Sequence, residues 1–258
     1  MRYLHPLFRF YSVLAGFVSR IYIPKKSRKT VFYFFGRVVF GMSRNDFSES
    51  AKPIDNYKNI NEFFTRPLDS KYRPIHHHKL LAPCDGRTID CGSVLDGNML
   101  TRVKGTSYSL IKLLLDRAFV PVFKSGSFCN IYLSPRNYHR FHAPCSGTVK
   151  KLIHIGGCCY PVNDWGQRLK DLYSINERYI LHIESNSSNI CMVAIGAAAV
   201  SKIDIKVKEG DHVAKGDLLG FFELGSSIML ISNTKLFSPT NIILGNVKAM
   251  GQIILNEI

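Results

Sequence analysis

The sequence predicts an α+β fold that is mainly β: a barrel- or sandwich-like core with lipoyl-like elements, preceded by a helical segment suited to a membrane surface. Three observations carry this. From about residue 80 the chain offers eight apolar runs of strand length, separated by Gly, Asp and Asn turn residues. Within "KEGDHVAKGDLLGFF" two Gly-Asp pairs, Gly210-Asp211 and Gly216-Asp217, mark tight returns of a compact β unit, spaced as in the second half of a lipoyl or biotinyl carrier. Residues 1–50 carry nine Lys/Arg against two acids, mixed with large apolar side chains.

Taken in order, the first elements are "YLHPLFRFYSVLAGFV" and "VFYFFGRVVFGM". Arg9 and Arg37 interrupt them, so neither reaches the roughly 18–20 uninterrupted apolar residues of a bilayer span. Apolar faces interleaved with basic residues suit a helix lying in an anionic interface. The competing reading is a helical cap on the core with a solvated basic face. No A-x-A-like site follows "VLAGFV", which argues against a cleaved signal peptide, while the Arg-rich, acid-poor start also suits a mitochondrial presequence. Residues 50–80 form a polar connector with a short helix at "NINEFFTRP".

The strands follow as "RTIDCGSVL", "FCNIYLS", "GTVKKLIHI", "RYILHIES", "ICMVAIGAAAV", "DLLGFFEL", "SIMLISN" and "IILGNVKAM". A helix is expected at "SLIKLLLDRAF", where Leu110, Leu113 and Leu114 fall at i, i+3 and i+4 and Ser109 can cap. Residues 1–60 are read as one unit and 61–258 as the main domain.

The formal charge of +15 calls for an anionic partner. Nucleic acid is disfavoured, because the aromatic-basic mixture is concentrated at the N-terminus and not on the β-rich part. Seven cysteines, odd in number and without paired C-x-x-C spacing, argue for buried thiols in a reducing compartment.

Four places could carry chemistry. "NYHRFHAPCSG" holds His139 and His142, which face opposite sides of a strand unless the chain turns there. "LLAPCDGRTID" places Asp85 in an Asp-Gly turn, a pair that is more often structural. "HHH" at 76–78 lies in the connector and reads as a solvated loop; no metal site has a recognisable third ligand. A carrier domain would need an exposed lysine at a hairpin tip, and none stands out. The last place is "FFELGSSIML", where a Gly-Ser-Ser step interrupts a buried strand. Gly225 lets the Ser226 hydroxyl approach the carbonyl of Gly225 itself, so with a base present the chain could cut itself by an N-to-O acyl shift.

In order along the chain, "NEFFTRPLDSKYRPI", "APCDG", "KGTSYSL", "YLSPRNYHRFHAPCSG", "PVN", "NER", "IGAAAV" and "KGDLLGFFELGSS" cover most of residues 60–230, and together they resemble the phosphatidylserine decarboxylase family of pyruvoyl enzymes. The resemblance implies a self-maturing triad of Asp85 as orienting carboxylate, His142 as base and Ser226 as nucleophile, cutting Gly225-Ser226 into chains 1–225 and 226–258. It implies that Ser226 becomes a covalent pyruvoyl group, the cofactor, which forms a Schiff base with the amine of phosphatidylserine and takes up the electrons released with carbon dioxide. His139 matches the family's second histidine, tied to substrate handling or to protonation of the carbanion. Ser227 stands where Thr is common, leaving the next bond as an alternative cut. The implied partners are phosphatidylserine, the membrane surface, the protein's own two chains and a second copy as a homodimer. The implied place is the cytoplasmic side of a bacterial inner membrane, or the mitochondrial inner membrane. The reading from a different class is a non-enzymatic lipoyl-like carrier or an unprocessed relative.

Overall fold

A computed structural model of the chain describes residues 5–76, 80–100, 107–117, 119–163, 166–186, 188–198, 202–223, 226–237, 247–248 and 250. Gly225, His77 and His78 lie outside the described residues.

Four helices open the chain: α1 (His5–Ser19), α2 (Lys25–Phe34), α3 (Arg44–Ser48) and α4 (Ile60–Phe64), with a π turn at Phe35–Val39 continuing α2. Sequence explains the short ones. Ser43 and Asp46 form a reciprocal capping box at α3, and the Asn59 side chain accepts the Glu62 N–H at 2.8 Å to start α4. Phe32, Met42, Phe47, Tyr57, Ile60 and Phe63 make a small core of their own.

Helix α1 is amphipathic in the reverse of the usual sense. Ser12, Gly16 and Ser19, spaced i, i+4 and i+7, face the protein and are buried, whereas Leu7, Phe10, Val13 and Phe17 are exposed. The buried serines are satisfied locally, donating to the carbonyls of Phe8 and Gly16. Among the described residues no helix is long and apolar enough to cross a membrane.

Among the described residues thirteen strands follow: β1 (Gly86–Leu95), β2 (Asn98–Leu100), β3 (Ser107–Ser109), β4 (Ser127–Leu133), β5 (Arg140–His142), β6 (Gly147–Ile155), β7 (Arg178–Glu184), β8 (Asn189–Gly196), β9 (Lys202–Ile205), β10 (His212–Val213), β11 (Leu218–Glu223), β12 (Ser226–Ser232) and β13 (Val247–Lys248). A 10-stranded antiparallel sheet runs β10-β6-β7-β8-β12-β4-β1-β2-β3, with β13 on β1; a 3-stranded sheet runs β5-β11-β9. The predicted barrel therefore does not close among the described residues: β5, β9 and β11 pair with one another and do not bridge the ends of the large sheet. The central strands β4, β8 and β12 are buried along nearly their whole length, which is why they read as continuous apolar runs.

The two Gly-Asp turns are built alike. Gly210 and Gly216 both take φ +90°, and the following Asp carboxylates accept the N–H groups of Lys208 (2.9 Å) and Ala214 (2.7 Å). The run "SLIKLLLDRAF" is shorter as a helix than predicted. It spans α5 (Leu110–Leu114), capped by Ser109, and stops where Leu115 turns left-handed at φ 52°; Asp116 then accepts the Phe119 N–H to begin another turn. Most of "IILGNVKAM" lies outside the described residues. All seven cysteines are free, and all but the half-buried Cys158 are buried.

Candidate active site

β12 lies between β4 and β8, with Ser226 opposite Leu133 and Gly196, and Ser227 opposite Tyr132 and Ile195. The two serines differ sharply. The Ser227 hydroxyl is engaged by Asn130 Oδ1 at 2.7 Å and the Ile131 carbonyl at 3.0 Å. The Ser226 hydroxyl is fully buried and has no hydrogen-bond partner among the described residues. An orphan of this kind costs about 1–3 kcal/mol, and such a group needs a reason to persist.

After β4 the chain turns through Ser134–Tyr138, held by Asn137 Oδ1, which accepts the Ser134 N–H at 2.8 Å and its hydroxyl at 2.6 Å. The turn delivers two histidines to separate surroundings. His139 is fully buried, with its ring stacked on Phe64 at 4.2 Å. Its Nε2–H donates to the Ser134 carbonyl at 3.1 Å, and the Nδ1 lone pair has no partner among the described residues. Burial, reinforced by the Arg66 charge, pushes its pKa down to about 3, so the ring is neutral. Backbone ties place it beside the start of β12: Ser134 follows the cross-strand partner of Ser226, and the His139 carbonyl accepts the Phe222 N–H at 3.0 Å.

His142 is fixed at both nitrogens. Nδ1–H donates to the Gly216 carbonyl at 2.8 Å, which puts the basic lone pair on Nε2, where the Tyr138 hydroxyl donates at 3.1 Å. Burial raises Tyr138 to about 12, so that hydroxyl stays protonated. Burial also lowers the pKa of His142, opposed by its bond to Gly216 and by the charge of Asp85. The His142 N–H donates to the Pro83 carbonyl at 2.8 Å, which sets β5 beside the Asp85 turn.

Asp85 is buried, but its oxygens are taken by other groups. Arg73 grips both, Nε at 2.9 Å and Nη2 at 2.5 Å, and the Met250 N–H donates to Oδ1 at 2.8 Å. The Nδ1 partner of His142 is thus a backbone carbonyl, with Asp85 acting on the ring through its charge. Arg73 also holds Glu49 at 3.0 Å. Arg66 is buried and donates to the carbonyls of Phe63 and Asp46, both at 3.3 Å, with Nε unpartnered. Together with Arg73, Asp85, Arg136 and Tyr138 it lines a polar pocket of about 350 Å³.

Sequence reasoning assigned no role to Arg66 or Arg73, although both sit in the quoted run "NEFFTRPLDSKYRPI", nor to the carbonyl of Gly216. It also missed the ion pair between Arg20, just past α1, and the buried Glu223 at the end of β11. Among the described residues no cluster of three or more His, Cys, Asp or Glu could hold a metal ion.

Fold and site define a mainly β protein with two buried histidines on the turn and short strand that follow β4, and on β12, which pairs with β4, a buried serine hydroxyl with no hydrogen-bond partner among the described residues. A family model described as phosphatidylserine decarboxylase matches residues 60–256. The phosphatidylserine decarboxylase proenzyme of Haemophilus influenzae is 35% identical over 199 residues, 68% of this chain and 68% of that protein. The proenzyme of Bacillus subtilis is 30% identical over 230 residues, 88% and 85% of the two chains, and that of Dechloromonas aromatica 34% over 215 residues, 74% and 76%. The chain belongs to the phosphatidylserine decarboxylase family, and is a carboxy-lyase by that membership.

Proposed function

We propose that the protein cuts its own Gly225-Ser226 bond and, with the pyruvoyl group so formed at residue 226, converts phosphatidylserine to phosphatidylethanolamine and carbon dioxide. The observation that carries this reading is the contrast between the two serines: Ser226 is buried with its hydroxyl uncommitted, while that of Ser227 is held by Asn130 and Ile131. The same contrast favours the bond before Ser226 over the one before Ser227.

In the cut, the Tyr138 hydroxyl gives up its hydrogen bond to His142 Nε2, Ser226 Oγ adds to the Gly225 carbonyl carbon and its proton passes to that freed Nε2, the Gly216 carbonyl fixing the tautomer. The C–N bond breaks, leaving an ester at Oγ and a free amine on residue 226. Loss of the Cα proton and of the Cβ–O bond then releases Gly225 as a carboxylate and leaves dehydroalanine, which exchanges its nitrogen for water oxygen with loss of ammonia. Asp85 supports the proton on His142 by its charge, and Arg73 holds that carboxylate in place. The pyruvoyl group supplies a carbonyl that accepts the electron pair freed as carbon dioxide leaves. The neutral ring of His139, with Nδ1 open, suits accepting a hydrogen bond from the substrate's amine more than delivering a proton. The carrier-like spacing of the Gly-Asp turns is, on this reading, a property of the scaffold.

The exposed apolar face of α1 and the basic residues of α2 suit docking on an anionic membrane, at the cytoplasmic side of a bacterial inner membrane or at the mitochondrial inner membrane. In this scheme residues 1–60 dock, 61–258 catalyse and two copies pair as a homodimer. Intact-mass measurement of purified protein tests the core of the proposal: chains 1–225 and 226–258, the second blocked by a carbonyl, are expected, and Ser226→Ala leaves one uncut chain. A full-length wild-type chain that persists under native conditions overturns it.

A further inference from the structure

The ion pair between Arg20 and Glu223 joins residues 203 positions apart, and its acidic member lies two residues before Gly225. Glu223 ends β11 in the small sheet, whereas Ser226 begins β12 in the large one. Residues 224 and 225 alone join them, and three consecutive Cα–Cα steps reach at most about 11 Å. The two strand ends therefore restrict where the Gly225 carbonyl can lie relative to Ser226 Oγ. β12 is locked between β4 and β8, so the adjustable end is that of β11. Three ties hold it: the Phe222 N–H donates to the His139 carbonyl at 3.0 Å, Glu223 stands opposite Lys202 in the ladder to β9, and the Glu223 carboxylate accepts from the Arg20 guanidinium. The Glu223 side chain is 7% exposed, a depth at which a carboxylate without a counter-charge is costly. Arg20 in turn belongs to the end of α1. Its N–H donates to the Phe17 carbonyl at 3.1 Å and its Nη1 to the Gly16 carbonyl at 3.4 Å, while near the start of the helix Phe8 packs edge-on against Tyr160 of the main core.

We propose that Arg20 is a positioning residue for self-cutting: by holding the Glu223 carboxylate it fixes the end of β11 so that the Gly225 carbonyl carbon is presented to Ser226 Oγ, and the seating of α1 on the core is thereby a condition of the cut. The proposal rests on the self-cutting reading above, and it gives the N-terminal segment a part in the chemistry besides docking. Without Arg20 the buried carboxylate is drawn toward water and carries the strand end with it. The effect falls on the acyl shift. Once the ester exists, the bonds that break are at Cα and Cβ of residue 226, on the side of the locked strand β12.

The test follows the cutting of freshly synthesised full chain by gel over time. Arg20→Ala is expected to slow it roughly tenfold or more, since misplacing a reacting group by an ångström costs up to about a hundredfold. Arg20→Lys is expected to restore most of the rate, and the swap of Arg20→Glu with Glu223→Arg to cut faster than Arg20→Glu alone. Lys202→Ala, across the ladder from Glu223 with its side chain 60% exposed, is expected to cut as the wild type does. A general loss of packing is not repaired by exchanging the charges, so equal rates for the swap and for Arg20→Glu overturn the proposal, as does an Arg20→Ala chain that cuts at the wild-type rate. Neutral hydroxylamine separates the steps: it attacks the ester carbonyl of Gly225, leaving chain 1–225 as a hydroxamate and releasing Ser226 with its hydroxyl restored. With Arg20→Ala the rate of hydroxamate formation is expected to fall in proportion to the rate of cutting. An unchanged rate would place Arg20 after the ester and overturn the proposal, whereas a wild-type chain that neither cuts nor yields hydroxamate overturns the self-cutting reading instead.

Discussion

At the scale of single residues, the most informative group is a hydroxyl with nothing to do. Ser226 Oγ is buried and unpartnered, so removing it from an uncut chain relieves a cost of about 1–3 kcal/mol. His142→Ala, which lacks the proposed base, provides that uncut reference; adding Ser226→Ala to it is expected to raise the urea midpoint, and a fall would show that the hydroxyl has a partner in solution. His139 makes a second prediction through its depressed pKa. Between about 6.5 and the folded value of about 3, the unfolded chain binds a proton that the folded chain refuses. Stability from this residue is therefore full above pH 6.5 and is lost as pH falls toward 3. His142 and His182, also lowered by burial, act in the same direction, so His139→Gln should flatten the acid limb of the stability profile without abolishing it. Denaturation midpoints between pH 7 and pH 4 decide this; an unchanged slope contradicts a buried neutral His139.

At the scale of elements, the twin Gly-Asp turns supply their own control. Gly210 and Gly216 share φ +90°, so an alanine at either costs roughly 1–2 kcal/mol in backbone strain. Only the Gly216 carbonyl holds His142, and only there would a Cβ meet a neighbour, Ile75 Cδ1 at 2.8 Å, whereas Gly210 faces open space. Gly216→Ala should slow self-cutting severalfold and Gly210→Ala should leave it unaltered, as followed by gel over time in freshly synthesised chain. Equal rates would detach the turn from the mechanism. These turns were legible in sequence because Gly-Asp chemistry is local: the glycine takes the left-handed backbone and the aspartate closes the turn on an N–H three residues back. The long strands β1, β4, β6, β7, β8, β11 and β12 were legible for the same reason, whereas β2, β3, β5, β9 and β10, of two to four residues, are too short to show a period. What sequence could not give was assembly across distance. Arg73 meets Asp85 twelve residues on, Glu223 meets Arg20 from the far end of the chain, and the Gly216 carbonyl, not a carboxylate, orients His142; each partner is ordinary in its own segment. The mainly β core was legible, but not the choice between barrel and sandwich, because periodicity reports which residues are buried and not which strands pair at the sheet ends.

At the scale of the whole molecule, the question is how a protein of net charge +15 holds a helix whose large apolar residues face outward. If the protein docks on a membrane as proposed, the two properties make separable contributions. Attraction between the basic N-terminal segment and an anionic leaflet is screened by salt over about 10 Å at 0.1 M, whereas insertion of Phe10, Val13 and Phe17 into the interface is not. Binding to vesicles containing phosphatidylserine should therefore weaken several-fold between 0.1 and 0.5 M salt and level off above zero. Vesicles of neutral lipid should show only the residual, salt-insensitive part. Phe10→Ser with Phe17→Ser should remove that residual while leaving the salt-dependent part, because both side chains are exposed and contribute little to the protein's own packing. Flotation of the purified protein with each vesicle type reads both components. If the double variant binds as the wild type does at high salt, the outward apolar face of α1 is not a membrane contact, and the helix is instead a cap whose exposed side chains meet another protein surface.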